Sequence, residues 1–200
     1  TTWNMNVGQI EAKITTRTKA IMVVHIYGLP VDMDPIMNKV AGTQTFVLED
    51  AAEALGVDYN GSHCGAIGNA GIFSFYANKV VTGGEGGAVA TNDAVFAERV
   101  RYFRNLCFNP KQRFVHEDLG WNARLSGMPA TLIASQLQRL DRLVEKKINI
   151  AQRYLSGLAG HPWLDFHPPS TVFSTNTYWV FGVVLKEDAP FDAPNGMAKG

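Results

Sequence analysis

Cysteine is scarce in this chain of 200 residues: Cys64 and Cys107 are the only two. Two cysteines make neither a disulfide framework nor a zinc-binding spacing. A net charge is also missing, with 18 Lys and Arg against 18 Asp and Glu. A neutral chain has no general attraction for nucleic acid or an anionic membrane. The longest strongly apolar run, Ala20 to Ile26, is seven residues, against the roughly 20 that a spanning helix needs. There is no G-x-G-x-x-G fingerprint, no Walker loop after Gly83–Gly87, no G-x-S-x-G elbow and no H-E-x-x-H. No internal repeat and no low-complexity tract interrupts the chain. His63-Cys64 reads as ordinary loop, so no metal is expected. With 46% hydrophobic and 18% charged residues, the composition is globular rather than disordered. It fits a soluble cytoplasmic α/β protein of one domain, or one large domain and part of another. The chain does not start with Met and stops at Asn195–Gly200 without a closing element, so it reads as the central piece of a longer protein.

The patterning predicts an alternation of strands and helices. Asn6 caps a short helix over Val7–Ile14. Ala20–Ile26 is rich in β-branched residues and reads as a strand covered on both faces. Asp34 followed by Pro35 opens a helix to Val40. Thr45–Leu48 is a buried strand ending in Glu49-Asp50, with a helical turn over Ala51–Leu55 after it. Gly71–Tyr76 and Gly87–Thr91 are strands separated by the glycine loop Gly83–Gly87. Asn92 or Asp93 caps a helix to Leu106, and Cys107–Trp121 is a long polar loop. Pro129–Leu158 is largely helical, His161–Ser174 is loop, and Tyr178–Leu185 is a strand. Strand–helix alternation through residue 106 argues for a mainly parallel sheet flanked by helices. A second, smaller domain is expected to start near residue 150.

Three segments carry candidate chemistry. Asp50 closes a buried strand, where open α/β sheets bind ligands. A carboxylate there needs a cationic or hydrogen-bonding partner, such as a protonated pyridine nitrogen, or else it caps the turn that follows. Lys79 comes just after the aromatic strand Phe73-Ser74-Phe75-Tyr76 and before the glycine loop. A lysine drawn into an apolar site loses its proton readily and forms Schiff bases; the alternative is a surface lysine at a strand end. Ser74 is close enough to donate to a phosphate bound nearby. Asn122 and Arg124, in Gly120-Trp121-Asn122-Ala123-Arg124, suit oxyanions or simply belong to a structured loop.

The order and spacing of the three form a specific combination. A strand-end Asp is followed twenty-nine residues later by a Lys within F-S-F-x-x-x-K-x-x-x-x-G-E-G-G, and then by G-x-N-x-R. On these motifs the chain resembles the DegT/DnrJ/EryC1/StrS family of pyridoxal-phosphate-dependent sugar aminotransferases. Val24-His25-Ile26-Tyr27-Gly28 and Gln136-Leu137-Gln138-Arg139-Leu140-Asp141 match it as well. The resemblance covers Asn4 to Leu158 and is weaker beyond. Around Arg104–Phe108 and Arg113–Glu117 the chain is most similar to the family members that make GDP-perosamine.

The resemblance implies fold type I of the pyridoxal-phosphate-dependent transferases, the aspartate aminotransferase-like α/β fold. Residues 1–150 would be part of the large cofactor-binding domain and residues 151–200 the start of the small C-terminal domain. It implies pyridoxal 5'-phosphate as cofactor, with Lys79 as the catalytic, Schiff-base lysine. Asp50 would pair with the pyridinium nitrogen, Glu53 would lie near the ring hydroxyl, and Ser74 and Asn122 would bind phosphate. Asn122 would serve the neighbouring subunit of a homodimer with shared active sites. The implied reaction moves the amino group of L-glutamate to a 4-keto-6-deoxy nucleotide sugar, GDP-4-keto-6-deoxymannose giving GDP-perosamine for surface polysaccharide such as O-antigen. Alternatives are a non-catalytic fragment or partner subunit, and a sugar 3-dehydratase of the same fold, whose members carry His where this chain has Lys79. His25, Tyr27, His116 and Arg124 are candidates for substrate contact. The chain departs from the family pattern at Ala123 and Leu125, at Pro129, and at Asn69.

Overall fold

A computed structural model describes residues 2–190. Thr1 and residues 191–200, the end of the expected second domain, lie outside the described residues. The Asn6 side chain accepts from Gly8 N and caps a 3-10 turn over Val7–Gln9, which runs into α1 (Ile10–Lys13). Strand β1 is Ala20–Val24. It stops short of Ile26 because the chain turns at Tyr27 and Gly28, both at positive φ (55° and 95°). Helix α2 (Asp34–Val40) has Pro35 in its first turn, but Met33, not Asp34, is its N-cap residue. The amide of Asp34 donates instead to the Tyr59 hydroxyl, which donates in turn to Asp32.

Strand β2 (Phe46–Asp50) is followed by a tight hairpin, β3 (Asp58–Tyr59) and β4 (Ser62–His63). Asn60 and Gly61 make its turn at positive φ (48° and 82°), as the Asn-Gly pair favours. Next come β5 (Ala70–Ser74), β6 (Gly87–Ala90) and α3 (Ala94–Arg104), the last capped by Asp93 through Val95 N and Phe96 N. The expected helical stretch Pro129–Leu158 is two helices, α4 (Gly127–Leu137) and α5 (Leu140–Gly157). The break lets Leu140 and Leu143 join Ile133 on a small cluster with Phe75 and Val81. Pro129 falls in the first turn of α4, where a missing N–H costs nothing. The segment expected to be loop after His161 contains β7 (Leu164–Phe166), antiparallel to β8 (Val183–Leu185). Strand β8 begins only at Val183 because residues 176–178 are bound elsewhere: Thr177 N donates to Gly28 O, and Tyr178 N to the side chain of Asn176.

The main sheet has the order β1-β2-β5-β6. The first three strands are parallel and β6 runs antiparallel to β5. Val24, Asp50 and Ile72 are aligned across it. Side chains alternate along a strand, so Val23, Glu49 and Gly71 face one side and Val24, Asp50 and Ile72 the other. The first side packs the core: Val23, Val31, Met33, Ile36, Val47, Ala51, Ala54 and Val57 are all buried. On the other side Met22 is 56% exposed and Val24 36%. The expectation that β1 is covered on both faces is therefore corrected: β1 is the edge strand, and the described residues cover only one face of it.

Glu49 sits at zero exposure on the packed side. Its carboxylate accepts from His25 Nε2 (3.1 Å) and from the amides of Gly65 (2.7 Å), Ile67 (2.7 Å) and Gly68 (2.6 Å). His25 Nδ1 accepts from Val31 N (3.2 Å). One carboxylate thus fastens the turn after β1 and the loop before β5 to the end of β2. The loop lies so close to β5 that a Cβ on Gly71 would fall 2.1 Å from Gly65 O, and only glycine fits. Burial alone would raise the Glu49 pKa, but hydrogen bonds from His25, Gly68 and Gly65 outweigh it and hold the carboxyl below its usual range.

Replacing Glu49 with Leu would strand three amide donors and the His25 N–H. We expect it to cost about 3–5 kcal/mol of stability, read as a lower denaturant midpoint. Because the folded-state pKa is depressed, the stabilisation is complete above the unfolded carboxyl value and is lost as pH falls through the folded one. Urea melts at descending acidic pH should show this loss in the wild type and not in the Leu variant.

Candidate active site

The carboxyl ends of β1, β2 and β5 lie side by side; Asp50 and Ser74 end β2 and β5, and the segments that leave the strands carry Tyr27, Glu53 and Lys79. Open α/β sheets place ligands at this edge. Asp50 is the last residue of β2 and faces away from Glu49. Its Oδ1 accepts from Ala52 N (3.0 Å), so the expected turn cap is present; its other oxygen takes no hydrogen bond among the described residues. Ser74, two residues beyond Ile72, shares the face of Asp50. Its hydroxyl accepts from Tyr76 N (3.3 Å) and is left with its own proton to donate.

Lys79 sits in the connection between β5 and β6. That connection is closed by Phe75 N donating to Gly86 O and Gly83 N to Phe75 O. It is also clamped from α4: Gln136 accepts from Thr82 N and donates to Thr82 O, as a neighbouring strand would. The Lys79 side chain is 12% exposed, with Nζ 4.0 Å from Glu53 Oε1. Glu53 Oε2 accepts from Tyr27 N (3.0 Å), fixing Glu53 and the left-handed turn at Tyr27 to each other.

The structure thus brings Lys79 and Glu53 together and sets Asp50 and Ser74 on one face of adjoining strand ends. Among the described residues no hydrogen bond or ion pair joins Asn122 to them. Asn122 is exposed, and its Oδ1 accepts from Arg124 Nε (2.9 Å) while Arg124 also reaches Asn105. His25, a candidate for substrate contact, is fully buried against Glu49 and turned away from solvent. Its membership of a buried pair explains the misreading, since nothing adjacent in sequence marks it.

Trp179 was not singled out from the sequence. Its ring centroid lies 3.8 Å from Lys79 Nζ, and its Nε1 donates to Asn78 O (3.2 Å). The Trp179 segment docks at Gly28, where a Cβ would fall 2.7 Å from both Thr177 Oγ1 and Tyr178 N. An N-terminal residue closes the same turn: Asn4 donates to Leu29 O and Pro30 O and accepts from Ile26 N. Cys64 is buried nearby, its thiol pKa pushed up to about 12, chiefly by desolvation; it is inert at neutral pH. His63 pairs with Asp58.

The donor set fits pyridoxal 5'-phosphate. A largely shielded amine suits its aldehyde, an open carboxylate oxygen its ring N–H, and a hydroxyl with a proton to donate its phosphate.

Comparison with known proteins agrees with this chemistry. The model of the DegT/DnrJ/EryC1/StrS aminotransferase family matches residues 1–197. The chain is 37% identical over 186 residues to a GDP-perosamine synthase of Escherichia coli O157:H7, covering 92% of this chain and 50% of that protein. The aminotransferase TlmJ of Streptoalloteichus hindustanus superposes with a TM-score of 0.85 at 30% identity, over 92% of this chain and 50% of that one. A GDP-4-keto-6-deoxy-D-mannose-3-dehydratase of E. coli, solved with hydrated cofactor, shares the fold with a TM-score of 0.84 at 24% identity, over 95% of this chain and 52% of that one. The chain spans about half the length of the curated relatives it matches.

The Glu53–Tyr27 bond gives a local test. Glu53→Ala should speed hydrogen exchange of the Tyr27 amide about tenfold, as the loss of one bond to a charged acceptor implies. Glu53→Gln keeps an acceptor there and should leave it slow. Exchange read by NMR or mass spectrometry that is equal in all three proteins would contradict the geometry.

Proposed function

We propose, since the chain belongs to the DegT/DnrJ/EryC1/StrS aminotransferase family, that its protein moves the amino group of L-glutamate to a 4-keto-6-deoxy nucleotide sugar. The acceptor proposed is GDP-4-keto-6-deoxymannose and the product GDP-perosamine. The observation that carries the reading is the shielded Lys79 amine beside Glu53, at the sheet edge that Asp50 and Ser74 share. The identity to a GDP-perosamine synthase supports the choice of sugar. In this reading residues 1–150 are part of a large cofactor-binding domain and residues 151–200 begin a smaller one.

Pyridoxal 5'-phosphate, when bound, supplies an aldehyde that exchanges with amines and a ring that withdraws electrons from the neighbouring carbon. Lys79 Nζ would hold the cofactor through its aldehyde carbon and would serve as the base that takes and returns a proton at the reacting carbon. The open oxygen of Asp50 accepts from the ring nitrogen and keeps it protonated. Glu53 holds the Tyr27 turn and would face the ring hydroxyl. Ser74 donates to the phosphate.

Asn122 fits the same scheme in a homodimer, where it serves its partner's site rather than its own. Its side chain bonds Arg124 rather than any group around Lys79, which agrees with that, as does the run of exposed apolar residues on either side of it in sequence. Phe114, Leu119, Trp121, Met128 and Leu132 are between 52% and 86% exposed, and apolar patches of this kind mark association surfaces.

The full-length protein with L-glutamate and GDP-4-keto-6-deoxymannose should release 2-oxoglutarate and a 4-amino sugar. Lys79→Ala should reduce turnover by at least about 10⁴-fold, the usual scale for loss of a covalent catalyst. A 3-deoxy sugar as product, or undiminished turnover by the variant, would overturn the reading. Coexpressed Lys79→Ala and Asn122→Ala chains should recover part of the activity that neither has alone, because a mixed dimer keeps one complete site.

A further inference from the structure

Trp179 enters no step of the proposed reaction, yet it is the nearest cover of Lys79. Its indole face lies 3.8 Å from Nζ, closer than the carboxylate of Glu53 at 4.0 Å. Glu53 is also committed elsewhere, its second oxygen bound to the Tyr27 amide, so it is not free to follow a long flexible lysine. An ion pair that loose contributes little on its own. The indole is held from three directions. Its Nε1 donates to the carbonyl of Asn78, the residue before Lys79 (3.2 Å). Its own carbonyl accepts from Lys147 Nζ of α5 (3.2 Å). Its ring packs against Tyr27, with centroids 6.0 Å apart. A ring fixed in this way presents a constant face to whatever lies over it.

An aromatic face attracts an ammonium and has no comparable attraction for a neutral amine. We propose that Trp179 is a positioning residue for Lys79. Its ring holds the charged amine in place and shields it from water, and lets go when the lysine gives up its proton to react. The functional meaning of this contact rests on the reading of Lys79 as the cofactor-binding lysine; the contact itself does not. The arrangement also makes the approach of the lysine depend on the turn after β1, because Thr177 is bonded to Gly28 O and the turn has no room for a Cβ.

The test uses the cofactor-free chain and the amine reagent trinitrobenzenesulfonate, with peptide mass mapping to give the labelling rate of Lys79 relative to the other lysines. Trp179→Leu should raise that relative rate about fivefold or more, and Trp179→Phe, which keeps an aromatic face, should stay within about twofold of wild type. Lys147→Met leaves the indole intact but frees its backbone, and should raise the rate at Lys79 selectively. Equal rates in wild type and Trp179→Leu overturn the inference, and so do equally raised rates in the Phe and Leu variants. If Trp179→Leu unfolds, which faster labelling of every lysine would reveal, Lys147→Met decides, and an unchanged rate there overturns the inference. A protein that binds pyridoxal phosphate at Lys79 but fails this test loses only the role of Trp179. One that passes it but transfers no amino group loses only the proposed function.

Discussion

The buried carboxylate of Glu49 is the constraint on which the rest of the molecule depends. From the end of β2 it reaches both the turn after β1 and the loop before β5. A charge with no access to water is tolerated only where donors surround it, and four of them do here. The strand ends that carry Asp50, Ser74 and the Tyr27 turn therefore share one anchor. Glu49 and Asp50 are neighbours in sequence and opposites in role, because a strand sends consecutive side chains to opposite faces. One holds the sheet edge together from below while the other stands open at its rim.

From that edge outward, the site is built by long-range reach. Lys79 is held in its connection by α4, through the paired contacts of Gln136 with Thr82. Glu53 and Trp179 flank its amine, and each is fixed by a backbone bond of its own. The Gly28 turn serves both flanks, with Tyr27 bonded to Glu53 and the Trp179 segment docked on Gly28. Asn4 closes that turn from the N-terminal side. The result is a hydrogen-bonded rim made from parts of the chain that are far apart in sequence, a suitable foundation for chemistry that depends on orientation.

What was legible in the sequence follows the range of the interactions. Asp50, Ser74 and Lys79 are candidates because apolar strands and glycines bracket them, and their order and spacing, matched to the family, single them out. The mainly parallel sheet follows from the alternation of elements, while the strand order does not, since β2 and β5 are joined through the β3–β4 hairpin. The Asn60-Gly61 pair is a local hairpin signal, and it forms the β3–β4 turn. Glu49 and His25 are opaque in the sequence because they pair with each other 24 residues apart and their other partners are backbone amides. Trp179 was opaque for the same reason, a hundred residues along the chain from Lys79. Strand β8 was placed too early because its apolar residues look extended from Tyr178 onward, and nothing local reveals that residues 176–178 belong to the Gly28 turn.

The account stands or falls on the chemistry of Lys79. The most direct measurement is to load the full-length protein with pyridoxal 5'-phosphate, reduce it with borohydride, and locate the modified lysine by peptide mass. The account predicts a single pyridoxyl group on Lys79. A stable adduct on another lysine, or none on a folded protein, would contradict it.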